Sequence, residues 1–102
     1  MLKHCVFIDF RDEVQEFEQH KVFRELASLQ DEIKGLVKFE FGNNLDFEQK
    51  SIDFNSGFIA SFDSYDSLIE YNNNSNHVAL GKKLVSMTNG GYNGIIVFDI
   101  ET

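Results

Sequence analysis

The chain has 102 residues, of which 42% are hydrophobic and 25% are charged, a balance typical of a single folded domain spanning residues 1–102. Its 17 acidic and 9 basic residues give a formal net charge of −8. This charge disfavours binding to nucleic acid or to an anionic membrane surface, because both recruit clusters of Lys and Arg. The longest apolar runs, such as Ile95 to Phe98, are too short for a membrane-spanning segment.

The first residues lack the charged and apolar segments of a secretion signal, and the single Cys5 cannot form an intrachain disulfide. Both features favour a cytoplasmic location. Cys5 lies in an apolar stretch, which favours a buried structural thiol over a nucleophile. The three His residues and Cys5 show no zinc-binding spacing, and nucleotide-binding glycine motifs and the serine-hydrolase elbow are absent. We therefore expect no metal and no cofactor.

The first part of the chain predicts a strand, a helix and a second strand. Apolar and polar residues alternate over 2–10 and again over 36–41, as in strands with one buried face. Asp12 and Gln15 are spaced like a variant capping box, and apolar residues including Phe23 then recur at near-helical spacing up to Gly35. We expect a helix over about 13–33. One face of the first strand carries His4, Val6, Ile8 and Phe10, and one face of the second carries Val37, Phe39 and Phe41.

The second part predicts a strand, two short helices and a closing strand. Residues 43–55 are mostly polar and predict a long loop, pinned by the isolated apolar residues Leu45, Phe47, Ile52 and Phe54. A strand over 56–62 follows. Asp63 and Ser64 can cap a helix that reaches about Asn72. A polar interruption over 72–76 precedes an amphipathic helix, a Gly- and Asn-rich turn over 88–94, and a strand over 95–100. The facing residues are Phe58, Ala60 and Phe62 in the third strand, His77, Leu80, Leu84 and Met87 in the last helix, and Ile95, Val97 and Asp99 in the last strand.

The order β-α-β-β-α-β is that of the ferredoxin-like α+β fold, in which a four-stranded antiparallel sheet carries helices on one face. The other face then lacks a cover. Contiguous apolar patches above a few hundred Å² mark interfaces, so this face predicts dimerisation through the sheet.

Several segments of the chain together resemble the stress-responsive A/B barrel domain family. Each motif is weak alone, whereas their joint order and spacing extend over essentially the whole chain. They comprise the opening segment from Leu2 to Asp12, the turn from Ile33 to Leu36, the segment from Phe39 to Asn44, Phe62 to Ser64 leading to Leu68 and Tyr71, His77 to Ala79, and Ile96 to Asp99.

The resemblance implies a homodimeric α+β barrel, in which two four-stranded sheets face each other and each subunit keeps a pocket between sheet and helices. The family includes plant polyketide cyclases that work without metal or organic cofactor. They use a strand histidine, a helix tyrosine and the second histidine of a His-Pro-x-His motif. These positions correspond here to His4, Tyr71 and His77. The chain departs from the family pattern at Asn74 and Ser75, which replace the motif's first histidine and proline, and at Lys34, where a proline commonly precedes the glycine.

The residues themselves leave two interpretations open for each candidate. His4 is either a hydrogen-bonded core histidine or a pocket group. His77 either lies structurally beside the loop at the start of its helix or is an acid-base group, since it leads an apolar helix stripe that points inward. Tyr71 either donates to a ligand carbonyl or packs its ring. Asp99 either orients a histidine or is an exposed strand-end carboxylate, and His20 is structural or exposed. The predicted catalytic residues are His77, His4 and Tyr71, and the predicted ligand-binding residues are Val6, Ile8, Phe23, Phe39, Phe58, Leu80, Val97 and Asp99.

Three functions follow as hypotheses. The leading one is a homodimer that binds a small apolar or aromatic molecule and performs cyclase-like acid-base chemistry, with His77 as the base and Tyr71 and His4 polarising or positioning a carbonyl. A cofactor-free monooxygenase is an alternative in the same fold. The third is a non-enzymatic dimeric scaffold, which Asn74 favours and in which Phe39, Phe41, Phe58 and Phe62 simply fill the interior.

Overall fold

Four antiparallel strands form one sheet in the computed structural model, which describes residues 1–102, and three α-helices accompany it. This confirms the predicted ferredoxin-like α+β fold. None of the helices has both the length and the apolar composition that a membrane-spanning segment needs. The elements are β1 (Leu2–Ile8), α1 (Glu16–Ala27), β2 (Leu36–Asn43), β3 (Ser56–Phe62), α2 (Tyr65–Asn73), α3 (Ser75–Ser86) and β4 (Ile95–Glu101), with 3-10 helices at Ser28–Asp31 and Gly91–Gly94.

The strand order is β2-β3-β1-β4, so β1 is central and β4 forms an edge. His4 of β1 lies opposite Ala60 of β3 on one side and opposite Asp99 of β4 on the other. Directly opposed residues point to the same face of a sheet. The register therefore places His4 and Asp99 side by side on the face that packs against the helices.

The hydrophobic core lies between this sheet face and the helices. It contains Phe10 and Phe23, whose rings meet edge to face with centroids 5.8 Å apart. Ile8, Val22 and Phe23 are each 0% exposed. Burial of apolar surface on this scale is the main stabilising contribution to the fold.

The first helix is shorter than predicted. It begins at Glu16 rather than at about 13, because the capping box forms between Gln15 and Glu18, with the Gln15 N–H donating to Glu18 Oε2 at 3.2 Å. The proposed Asp12–Gln15 box was therefore wrong. The helix gives way to a 3-10 turn over Ser28–Asp31 instead of continuing to 33. β1 also ends early, at Ile8, since Phe10 leaves the sheet and forms an isolated bridge with Thr88.

The predicted polar interruption over 72–76 is replaced by a single residue. Asn74 ends α2 and caps α3, its Oδ1 accepting hydrogen bonds from the backbone N–H groups of Asn76 at 2.9 Å and His77 at 3.0 Å. Asn is among the residues that best satisfy the unpaired N–H groups of a helix start. The composition of this Asn-rich stretch predicted a polar interruption between two helices, whereas the Asn74 side chain forms the N-cap of α3.

The long loop is observed at residues 44–55, between β2 and β3. Asp46 organises it, because its Oδ1 accepts from the backbone N–H groups of Lys50 and Ser51 and from the Ser51 hydroxyl. The apolar side chains Leu45, Phe47 and Ile52 point outward and are 72%, 87% and 80% exposed, so they do not anchor the loop to the core.

The sheet face turned away from the helices is apolar along its centre. On β4, Ile96, Phe98 and Ile100 remain partly exposed, at 36%, 54% and 50%. Phe98 and Phe7 of β1 lie side by side, with ring centroids 6.1 Å apart. We call this surface, comprising Cys5, Phe7, Ile59, Ile96, Phe98 and Ile100, the outer sheet face.

Candidate functional site

A cavity of about 400 Å³ opens between the β1–β4 side of the sheet and α3. Its volume falls within the range of about 300–1,000 Å³ that small-molecule sites occupy. The wall is mostly apolar and includes two histidines, His4 from the sheet and His77 from the helix. The full lining comprises His4, Val6, Leu26, Phe58, Asn72, His77, Val78, Gly81, Lys82, Leu84, Val85, Tyr92, Ile95 and Val97.

His4 is held in one orientation by Asp99. Its Nδ1 lies 2.6 Å from Asp99 Oδ1, and the His4 residue is 9% exposed. An ionised carboxylate only accepts hydrogen bonds, so Nδ1 carries the proton and Nε2 is the nitrogen left for other partners. A carboxylate that fixes the tautomer of an imidazole in this way is common in sites where histidine binds or reacts.

Tyr71 of α2 is packed between the two histidines. Its ring centroid is 5.8 Å from that of His4 and 3.9 Å from that of His77. The residue is 0% exposed, and its hydroxyl has no hydrogen-bond partner in the chain. Burial raises the pKa of Tyr71 far above its ordinary value, so the phenol stays neutral. Tyr71 lies behind the cavity wall and does not line it.

His77 occupies the first turn of α3 and contributes to the cavity wall. Burial lowers its pKa, the charge of His4 lowers it further, and the nearby backbone of Asn72 acts in the opposite direction. The imidazole is therefore neutral at pH 7 and able to accept a proton. Its Nδ1 is buried and has no partner within the chain.

The position of His77 depends on a polar cluster at the start of α3. Besides capping the helix, Asn74 donates from Nδ2 to Glu32 Oε1 at 3.1 Å. Asn76 donates from Nδ2 to both carboxylate oxygens of Glu32, at 3.1 and 3.0 Å. Glu32, at the end of the 3-10 helix Ser28–Asp31, thus ties this part of the chain to the turn that carries His77. Asn74 occupies the position of the first histidine in the His-Pro-x-His motif of the family that this chain resembles.

The structure brings together only part of the predicted site. His4, His77, Val6, Phe58 and Val97 line the cavity, and Asp99 contacts it through His4. Four predicted ligand-binding residues lie elsewhere. Ile8 and Phe23 are enclosed in the core, Phe39 stacks on Phe58 with centroids 4.8 Å apart, and Leu80 packs at the edge of the core. His20 lies away from the cavity, near Phe41 and Glu16.

Sequence reasoning missed the polar residues at the cavity mouth, Asn72, Lys82 and Tyr92. Val78, Lys82 and Val85 follow one another at steps of four and three along α3, which places them on one side of the helix. This spacing was available in the sequence. Tyr92 lies within the Gly- and Asn-rich turn, in the 3-10 helix Gly91–Gly94, and had no periodic signal.

A second recess of about 520 Å³ lies beside the long loop, on the outer sheet face. Glu40 is the only titratable side chain in its wall, which otherwise includes Phe7, Phe41, Leu45 and Phe98. No three His, Cys, Asp or Glu side chains converge anywhere as a metal site requires. Titratable groups suited to proton transfer at neutral pH are therefore concentrated at the smaller cavity.

Comparison with solved structures gives close matches over nearly the whole chain. A dimeric ferredoxin-like protein of unknown function from Jannaschia sp. CCS1 is 33% identical, with 99% of this chain and 98% of that chain covered and a TM-score of 0.92. A dimeric protein of unknown function with a ferredoxin-like fold from Bacteroides fragilis NCTC 9343 is 26% identical, with coverages of 99% and 95% and a TM-score of 0.70.

The hydroxynitrile lyase from Passiflora edulis is 13% identical, with 97% of this chain and 90% of that chain covered and a TM-score of 0.80, a likeness that shows the fold alone. No curated protein matches the sequence. The family model described as the stress responsive A/B barrel domain matches residues 2–102. With this match and the 33% identity to the Jannaschia protein, the predicted family is confirmed, and the chain belongs to the stress-responsive A/B barrel domain family.

Proposed function

We propose that the protein is a homodimer in which each subunit binds a small apolar or aromatic molecule and His77 removes a proton from an activated carbon of that molecule. One observation carries this proposal. His4 from the sheet and a neutral His77 from α3 line the same mostly apolar cavity. A neutral imidazole in such a wall is suited to act as a general base near pH 7.

The proton transfer needs no reactant other than the ligand and His77. The C–H proton moves to the His77 imidazole, and the electron pair of that bond moves toward a neighbouring carbonyl, whose oxygen gains negative charge. Asp99 holds His4 with its proton on Nδ1, so Nε2 of His4 can only accept a hydrogen bond. We therefore assign His4 the positioning of a hydrogen-bond donor group of the ligand.

Tyr71 has a different role in this proposal. Its hydroxyl is enclosed and its ring packs against both imidazoles, so we assign it the positioning of the two histidines rather than contact with the ligand. The fold is compatible with lyase chemistry, since the Passiflora edulis hydroxynitrile lyase shares it.

The base role is tested by deuterium exchange at the methylene carbon of phenylacetone in D2O, followed by NMR. We expect the protein to accelerate exchange, and His77→Gln to lose about a hundredfold of that acceleration, the usual contribution of a general base. His20→Gln is the matched control, because His20 lies on α1 away from the cavity. No acceleration by the protein, or equal rates in all three proteins, would contradict the role of His77.

The homodimer is supported by the apolar outer sheet face and by the two relatives described as dimeric. Phe98→Glu places a charge in this face and should shift the protein to monomer in sedimentation velocity measurements. Phe17→Glu is the control, because Phe17 is 68% exposed on α1 and lies on the helix side. Unchanged sedimentation of the Phe98→Glu protein would show that the outer sheet face is not the dimer interface.

A further inference from the structure

The cavity mouth is polar, in contrast to its interior. Asn72, Lys82 and Tyr92 line the cavity and are exposed. Their side chains form no hydrogen bond or ion pair within the chain, so their polar groups are available to a ligand. Lys82 and Tyr92 present an ammonium and a phenol O–H, and Asn72 presents an amide with two donor hydrogens.

The charge at this mouth is the opposite of that of the chain as a whole. The net charge is −8, yet no Asp or Glu lines the cavity, and Lys82 is its only permanently charged residue. The neighbouring Lys83 differs, since its ammonium is bound to Glu25 Oε1 at 3.2 Å. Asp99, whose carboxylate contacts a lining residue, is paired with that residue, His4.

We infer that the ligand is an amphipathic anion, with an apolar or aromatic body inside the cavity and a carboxylate at the mouth bound by Lys82. This inference rests on the proposed binding function and specifies its ligand. Carboxylates form short, charge-assisted hydrogen bonds with ammonium groups. Asn72 and Tyr92 supply further donors for the second oxygen.

The helix also indicates where the anionic group lies along the ligand. His77 and Lys82 are five residues apart on α3, a separation of about 7.5 Å along a helix axis at 1.5 Å per residue. A ligand that meets both side chains across this separation is elongated. This spacing distinguishes an aryl-alkyl acid from a compact anion such as acetate.

The test compares 3-phenylpropanoate with its uncharged counterpart 3-phenylpropanamide by NMR titration of the full chain. We expect the carboxylate to bind about fivefold more tightly than the amide, a preference typical of one solvent-accessible ion pair. Lys82→Gln should abolish the preference, and Lys82→Arg should retain it. Lys83→Gln is the matched control, because it removes the same charge from the next residue of the same helix and should leave the preference intact.

The outcomes separate this inference from the proposed function. If the amide binds as tightly as the carboxylate, the cavity binds apolar molecules, and the inference that its ligand is an anion is refuted. If Lys83→Gln lowers the preference as much as Lys82→Gln, the effect is the general charge of the helix, and the role of Lys82 is refuted. If neither compound binds at the cavity, both the inference and the binding function are overturned.

Discussion

His4 and Asp99 face each other across β1 and β4, with the imidazole Nδ1 2.6 Å from the carboxylate Oδ1. Asp99 is half exposed while His4 is buried, so the carboxylate reaches inward from the sheet edge. The pair orients Nε2 of His4 for a second partner. This arrangement arises from strand register, since a slip of one residue would place Asp99 on the outer sheet face.

The first prediction concerns the tautomer of His4. Asp99→Leu removes the acceptor at similar volume, so the proton should no longer be confined to Nδ1, and both neutral tautomers should be populated. Long-range proton–nitrogen correlation NMR of the ring distinguishes the two forms. Glu101→Leu, two residues along the same strand, removes a carboxylate that is not bound to His4 and should leave the tautomer unchanged. A His4 ring that keeps its proton on Nδ1 in Asp99→Leu would contradict the orienting role of Asp99.

The second prediction concerns the enclosed hydroxyl of Tyr71. Because this group has no hydrogen-bond partner, its removal in Tyr71→Phe should raise the free energy of unfolding by about 1 kcal/mol, the lower end of the cost of a buried unsatisfied polar group. Chemical denaturation at fixed protein concentration measures the change. Phenylacetone exchange should stay within about threefold of the original rate, a change under 1 kcal/mol in the barrier.

Tyr65→Phe provides the control for this substitution, because Tyr65 is 67% exposed and the loss of its hydroxyl should leave stability unchanged. A destabilised Tyr71→Phe protein would show that the hydroxyl is hydrogen bonded in solution. A large loss of exchange without loss of stability would show that the hydroxyl contacts the reacting molecule, against the positioning role assigned above.

The third prediction follows from the lowered pKa of His77. In the unfolded chain this histidine takes up a proton near pH 6.5, whereas in the folded protein it resists protonation until a lower pH. Its contribution to the free energy of unfolding is therefore complete above about pH 6.5 and falls as the pH drops toward the lowered pKa. His77→Gln should lack this decline, so stability curves of the two proteins should converge or cross on acidification. Parallel curves between pH 7 and pH 5 would refute the lowered pKa.

The fourth prediction tests the cap that positions His77. Asn74→Ala removes the acceptor for the N–H groups of Asn76 and His77 and should cost about 1 kcal/mol of stability, the usual effect of losing an N-cap. Asn73→Ala, at the last position of α2, provides the control and should have little effect. Asn74→Asp restores the acceptor but faces Glu32, so it should recover less than the full stability at pH 7. Equal stability of Asn74→Ala and Asn73→Ala would show that Asn74 does not stabilise α3 as its N-cap.

The strands were predictable to within two residues because their alternation reflects a single buried face. The same alternation placed His4, Val6 and Val97 on the face that borders the cavity. Helix boundaries were less predictable, since two overlapping cap patterns compete before α1, and only the folded chain shows that Gln15 and Glu18 pair.

The two histidines of the candidate site were predictable because family motif and apolar periodicity coincide at both. His4 and His77 satisfy both conditions, and both line the cavity. Phe23 and Phe39 have the same apolar character as Phe58, but packing between elements encloses the first in the core and stacks the second on Phe58. Lys82 looks like any exposed helix lysine in sequence, and only the position of α3 over the sheet brings it to the cavity mouth.

The measurement that tests the central claim most directly is an NMR titration of the three histidine rings with 3-phenylpropanamide at pH 7. Binding in the cavity predicts saturable shifts of the His4 and His77 ring signals with the same midpoint, while His20 stays unmoved on α1. The amide carries no charge, so the result does not depend on Lys82. Saturation that leaves His4 and His77 unmoved, or the absence of any saturable shift, would contradict a ligand site between the sheet and α3.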